Sequence, residues 1–259
     1  MMKRKTLVNI FAATTLSFIA HSVSAAISLD RTRVVFPGSE KSVSLTVSNQ
    51  NTELPYLAQG WLEDEQGEKL DNNNPLTVVP PVQRIEPRAE SQVKIQALTS
   101  SEAFKKLPQD RESLFYFNLR EIPPKSDKPN VLQIALQTRI KVFYRPAALA
   151  EAAAAQQALP FQEKITLSKS GDKYTIVNPT PYYVTLIGAS AKKEGDVIKG
   201  FEALMIAPKS QAAMGGSTAA LGQTPVLVYV NDYGGQTALT FKCSGNTCTV
   251  DTSKRATPK

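Results

Sequence analysis

The chain has 259 residues, 42% of them hydrophobic and 20% charged, with a formal charge of +7. This composition excludes a disordered chain and allows one large domain or two of about 100 residues each. Its single histidine, His21, lies in a leader, so the remaining sequence contains no Ser/His/Asp triad, no Cys/His pair and no histidine metal ligand.

Residues 1–25 have the form of a secretory signal. Lys3, Arg4 and Lys5 precede a mostly apolar run from Leu7 to Ala20, and Val23-Ser24-Ala25 forms a small-residue cleavage site. The mature chain is expected to begin at Ala26, and removing the three leader cations takes the charge from +7 to +4. No later segment is apolar over the length a membrane span needs. The modestly basic surface lacks the dense Lys/Arg run with interleaved aromatics that nucleic-acid binding requires.

From Ala26 onward, short alternating runs are separated by turn residues. Ile27 to Phe36 is the first strand, closed by Pro37-Gly38-Ser39, and Val43, Leu45 and Val47 mark the second. Pro55 to Glu63 is a third, with Trp61 read as core filler. Leu76 to Val79, Val82 to Glu86, the alternation around Val93, Ile95 and Ala97, and Leu114 to Ile122 follow.

The clearest alternation runs from Asn130 to Pro146. Leu132, Ile134, Leu136, Ile140, Val142 and Tyr144 share one parity, and Gln133, Gln137, Arg139 and Lys141 the other. Taken as one strand, the roughly thirteen residues from Leu132 to Tyr144 would extend about 43 Å, against a usual strand of about five to six residues. Two readings are open: a central strand with a bent or helical tail, or an overlong edge strand left free to pair with another chain.

Seven or eight short strands in this half suit an immunoglobulin-like β-sandwich over residues 26–146. A second series, Ile165 to Leu167, Tyr174 to Val177, Tyr182 to Ile187, Phe201 to Ile206, Pro225 to Val230 and Ala238 to Val250, makes a second sandwich within 147–259. The intervening Ala147 to Leu159, AALAEAAAAQQAL, reads equally as a short helix or a flexible linker. The only two cysteines, Cys243 and Cys248, frame a Gly245-Asn246 turn, and in an exported chain such a pair reads as a disulfide contributing roughly 2 kcal/mol.

LPQDRESLFYFNLREIPP at Leu107 to Pro124 resembles the motif of periplasmic pilus-assembly chaperones, the PapD-like family. The likeness continues through ISLDRTRVVFPGSEKS (Ile27 to Ser42), LPYLAQGWLE (Leu54 to Glu63), PPVQRIEP (Pro80 to Pro87), NPTPYYVTLIG (Asn178 to Gly188) and VNDYGG (Val230 to Gly235). It implies an all-β protein of two immunoglobulin-like sandwiches set as an L around a cleft. It also implies a periplasmic location in a Gram-negative bacterium, and a non-enzymatic chaperone that captures pilus subunits and delivers them to an outer-membrane usher. Capture is by donor-strand complementation, in which the chaperone lends a strand to a subunit lacking one.

Carried over onto this sequence, the resemblance makes Arg33 and Lys141, with Thr32 beside them, the anchor for the subunit's C-terminal carboxylate. Leu132, Ile134 and Leu136 become the donated side chains, and Glu112, Arg145 and Asp232 a charge network between the domains. No catalytic residue, metal or cofactor is implied, and no Gly-rich phosphate loop of Walker spacing is present. The alternative function is a structural pilin or adhesin built on the same sandwich.

Overall fold

The computed structural model describes residues 25–71, 74–155 and 160–254. The expected leader, residues 1–25, lies outside the described residues apart from Ala25.

The first sandwich is built from β1 (Ile27–Leu29), β2 (Arg33–Pro37), β3 (Ser42–Asn49), β4 (Tyr56–Glu63), β5 (Leu76–Val79), β6 (Val82–Ile85), β7 (Glu90–Ala97), β8 (Ser113–Ile122) and β9 (Gln137–Arg145). One sheet has the order β1-β3-β7-β5 and the other β2-β9-β8-β4-β6. Alternation along each strand sends Phe36, Leu45, Ile95, Phe117 and Val142 into the space between the sheets, where each is fully buried. Burying one such side chain contributes roughly 1.5–3 kcal/mol.

Two expectations for this half are corrected. The first strand divides: β1 pairs with β3 in one sheet, and after Asp30–Thr32 the chain crosses the sandwich so that β2 runs parallel to β9 in the other. Trp61 is not core filler. It lies on the outer face of β4, half-buried, donates from Nε1 to Glu63 Oε1 at 3.0 Å, and has the Arg120 guanidinium 5.1 Å from its ring centroid.

The long alternating stretch is corrected too, because only its second half is a strand. Antiparallel pairing of β8 with β9 ends at Arg120 opposite Gln137, with one further bond from Glu121 N to the Leu136 carbonyl at 3.0 Å. Continuing that register would bring residues 133 and 134 opposite Pro124 and Pro123, which have no N–H to donate. Residues 131–136 therefore lie outside either sheet, with Leu132 85%, Ile134 61% and Leu136 37% exposed.

The second sandwich is one continuous eight-stranded sheet folded on itself, in the order β13-β12-β15-β16-β17-β10-β11-β14. Its strands are β10 (Thr166–Ser170), β11 (Lys173–Asn178), β12 (Val184–Ser190), β13 (Leu204–Ile206), β14 (Ser210–Met214), β15 (Val226–Val230), β16 (Gln236–Ser244) and β17 (Thr247–Val250). The fold turns on β16, whose first half pairs with β15 and whose second half pairs with β17. Leu167, Ile176, Leu186, Leu227 and Phe241 are the buried filling.

Cys243 and Cys248 stand opposite one another in the β16–β17 register and are joined as the expected disulfide. β14 has no counterpart in the sequence reading because SQAAM carries no alternation of large apolar residues. Among the described residues there are three short α-helices, α1 (Glu102–Lys105), α2 (Ala147–Ala155) and α3 (Thr218–Leu221). Of the two readings for the alanine-rich segment, α2 is the outcome over Ala147–Ala155. Residues 156–159 lie outside the described ones.

Candidate functional site: a cationic pair at the domain junction

The crossing of the first strand creates the site. Because β2 joins the second sheet in parallel with β9, Arg33 falls directly opposite Lys141 in the register. Val34 and Phe36 point into the core, so Arg33 and Lys141 occupy the outer parity of their strands. β2 begins only at this point, so along that edge residues 137–140 of β9 have no strand beside them. The cationic pair thus marks where the paired part of β9 gives way to an open edge and then to the exposed apolar row.

Each cation is partly desolvated, and among the described residues no carboxylate forms an ion pair with either. Burial lowers Lys141 from its ordinary pKa, and the Arg33 charge adds to the effect. Burial likewise lowers Arg33, opposed by the charge of Asp232. Arg33 Nη1 donates to the Val230 carbonyl at 3.2 Å, whereas its Nε is buried without a partner among the described residues. Two neighbouring cations, half out of water and uncompensated, form a site whose electrostatic deficit an anion would remove. Thr32, exposed on the approach to β2, lies against the β15–β16 loop at Gly234.

Farther along the outer face of β9 the environment changes. Arg139 is exposed, Lys141 half-buried, and Phe143 and Arg145 buried. Phe143 and Arg145 are covered by the second domain: the Phe143 ring lies 5.7 Å from that of Tyr183. Arg145 Nε donates to Glu112 Oε1 at 2.7 Å, and its two terminal nitrogens hold both Asp232 oxygens at 2.8 and 3.1 Å. The other Glu112 oxygen accepts from Tyr183 N at 2.7 Å. The three charges matched to the family network are therefore in contact, and they join the residue just before β8, the end of β9 and the β15–β16 loop.

Asp110 and Lys209 make a further, exposed ion pair between the domains at 2.7 Å, which the sequence reading did not include. Nothing in the spacing of two residues 99 positions apart signals it. Phe143 was also passed over, although a large aromatic on the polar parity of a strand is itself a sign that the outer face is covered.

Burial beneath the second domain pushes the Glu112 carboxyl up to about 7, outweighing Arg145 and the Tyr183 N–H, which act to lower it. Between the ordinary 4.5 and that value, the folded chain holds a proton that the unfolded chain releases. This contribution to stability is complete below about 4.5 and is lost as pH rises through about 7. Asp110, which Lys209 and Arg111 hold at about 2, titrates below this window. Denaturant unfolding from pH 4.5 to 8 should therefore show the parent losing stability relative to Glu112→Gln as pH rises. A pH-independent difference between the two would contradict it.

Residues 26–150 match the family described as pili and flagellar-assembly chaperone, PapD N-terminal domain, and residues 160–241 match pili assembly chaperone PapD, C-terminal domain. The chain belongs to the PapD-like family of pilus-assembly chaperones. It is 50% identical over 237 residues to the chaperone protein PapD of Escherichia coli, covering 92% of this chain and 95% of that protein. It is also 50% identical to the probable fimbrial chaperone YfcS of Escherichia coli K12, over 95% of this chain and 92% of the relative. Among solved structures, the Pseudomonas aeruginosa CupB2 chaperone is similar with a TM-score of 0.64 and 31% identity, over 84% of this chain and all of the other. The alternative of a structural pilin or adhesin is not favoured by these likenesses. Among the described residues, no helix is long and apolar enough to cross a membrane.

Proposed function

We propose that this chain is a non-enzymatic periplasmic chaperone, exported through a cleaved leader, that captures pilus subunits and passes them to an outer-membrane usher. Leu132, Ile134 and Leu136 enter the groove of a subunit whose own sandwich lacks a strand. Arg33 and Lys141, with Thr32 beside them, hold the subunit's C-terminal carboxylate. Arg145, bound to Glu112 and Asp232, keeps the two domains at the angle that forms the cleft.

The observation that carries this reading is the position of the uncompensated Arg33–Lys141 pair next to the open edge of β9 and its exposed apolar continuation. A carboxylate seated on two cations sets where pairing begins, and register is decisive because a one-residue slip would turn every donated side chain to the wrong face. The role consists of binding alone and requires no bond to be broken.

The test is coexpression with candidate pilus subunits and purification on the tagged chaperone. Arg33→Ala and Lys141→Ala each remove a cation without removing core volume, so both should melt within a few degrees of the parent. Both should also lose the copurifying subunit, by more than tenfold in yield. Parental yield with either variant would overturn the anchor assignment.

A further inference from the structure

Arg33 is a long side chain that helps to line a cavity of about 670 Å3 with Pro37, Ala150, Phe161 and Tyr229 among its other walls. A flexible cation beside open space makes a poor anchor unless another group fixes its direction. Its guanidinium is met from the second domain, where the Val230 carbonyl accepts from Nη1 at 3.2 Å.

Val230 is the last residue of β15, and the loop that follows is tightly closed. Asn231 N donates to the Gly235 carbonyl at 2.8 Å, and the Asn231 carbonyl accepts from Gly234 N at 3.0 Å. The Asn231 side-chain oxygen accepts from Tyr233 N at 3.0 Å and from Gly235 N at 2.8 Å. Asp232, within the same loop, is the residue gripped by Arg145.

The loop also rests on the residue preceding Arg33. Gly234 has φ +87°, in the left-handed region, and a Cβ built there would stand 2.6 Å from Thr32 Oγ1. Any other residue at 234 must turn Thr32 aside or withdraw the loop. The loop thus touches the anchor twice, through Gly234 on Thr32 and through the Val230 carbonyl on the guanidinium.

We propose that the β15–β16 loop positions the anchor arginine: Gly234 and Asn231, acting through Thr32 and the Val230 carbonyl, are positioning residues for carboxylate binding. The second domain then contributes to the anchor's geometry although both anchor cations belong to the first. This inference rests on the reading of Arg33 as a carboxylate anchor.

The probe is a synthetic peptide of alternating apolar residues, prepared with a free C-terminal carboxylate and as its C-terminal amide, titrated against the full mature chain. The parent should prefer the acid by about tenfold or more, the scale of one charge-assisted hydrogen bond. Gly234→Ala should reduce that preference to below about threefold while leaving the Kd of the amide within about twofold, and it should cause no further loss in an Arg33→Ala background. Asn231→Ala should behave in the same way and decides the matter if Gly234→Ala does not fold. Equal weakening of acid and amide, or an undiminished acid preference, would overturn the positioning role while leaving the anchor intact. Absence of acid preference in the parent would overturn the anchor reading and this inference together.

Discussion

Ile134→Asp is expected to leave the melting temperature within about 2 °C of the parent and to lower affinity for a pilus subunit by more than 100-fold. In the free chain the Ile134 side chain is 61% exposed and belongs to neither sandwich core, so a charge there is solvated at almost no cost to folding. In the groove of a subunit the same carboxylate would be unpaired in apolar surroundings, a penalty of several kcal/mol unless it takes up a proton. About 2.7 kcal/mol already suffices for 100-fold. Gln133→Asp is the control. Its neighbouring parity points it away from the groove, and it forfeits only an exposed hydrogen bond from Nε2 to the Pro124 carbonyl. Scanning calorimetry and a titration with purified subunit decide between the outcomes. A fall of many degrees for Ile134→Asp, or equal binding losses at the two positions, would show that residues 131–136 are not the donated segment.

Arg145→Ala should be the most destabilising single change at the domain junction, costing about 3 kcal/mol. Its side chain is 5% exposed and stands between Glu112, at 1%, and Asp232, at 33%. It also packs with its guanidinium carbon 4.9 Å from the Tyr182 ring centroid. Breaking a buried ion pair by deleting one partner typically costs 3–5 kcal/mol, because the other charge is left buried. Proton uptake by Glu112, already raised to about 7 with Arg145 in place, holds the loss to the lower end of that range at neutral pH. The deficit should therefore grow as pH is raised. Arg145→Lys should recover only part of it, since an ammonium cannot satisfy Glu112 and both Asp232 oxygens in the same fixed fork. The measurement is denaturant unfolding at pH 6 and pH 8, with resolution of separate transitions for the two domains as the sign of uncoupling. A variant within 1 kcal/mol of the parent at both pH values would contradict the account.

Much of the fold is legible in the sequence wherever a strand alternates and lies between two others. Val43-Leu45-Val47 and Val93-Ile95-Ala97 announce β3 and β7 because each has one face on the core and one in water. The reading fails where pairing rather than patterning decides. Residues 130–136 alternate as cleanly as residues 140–144, yet only the latter have partner strands, since the register with β8 runs into Pro123 and Pro124. Trp61 misled for a related reason: its size suggests a core residue, but its parity in β4 sends it outward, where Glu63 and Arg120 occupy its polar and aromatic surfaces.

For the candidate site, residue identities came from a resemblance spread from Ile27 to Gly235, and local pattern alone would have left Arg33 and Lys141 as ordinary surface charges. By itself the sequence determined the class of fold, the two-sandwich division, the cysteine pairing and the alternation that gives residues 131–136 an apolar parity, because each depends on neighbours close along the chain. The tertiary structure alone decided that Arg33 stands beside Lys141 across a parallel pairing more than 100 residues apart in sequence, and that from the other domain Val230 reaches Arg33, Gly234 reaches Thr32 and Asp232 reaches Arg145. Those contacts depend on the crossing of the first strand between sheets and on the docking of two separately folded cores, and neither leaves a periodicity for a sequence to display.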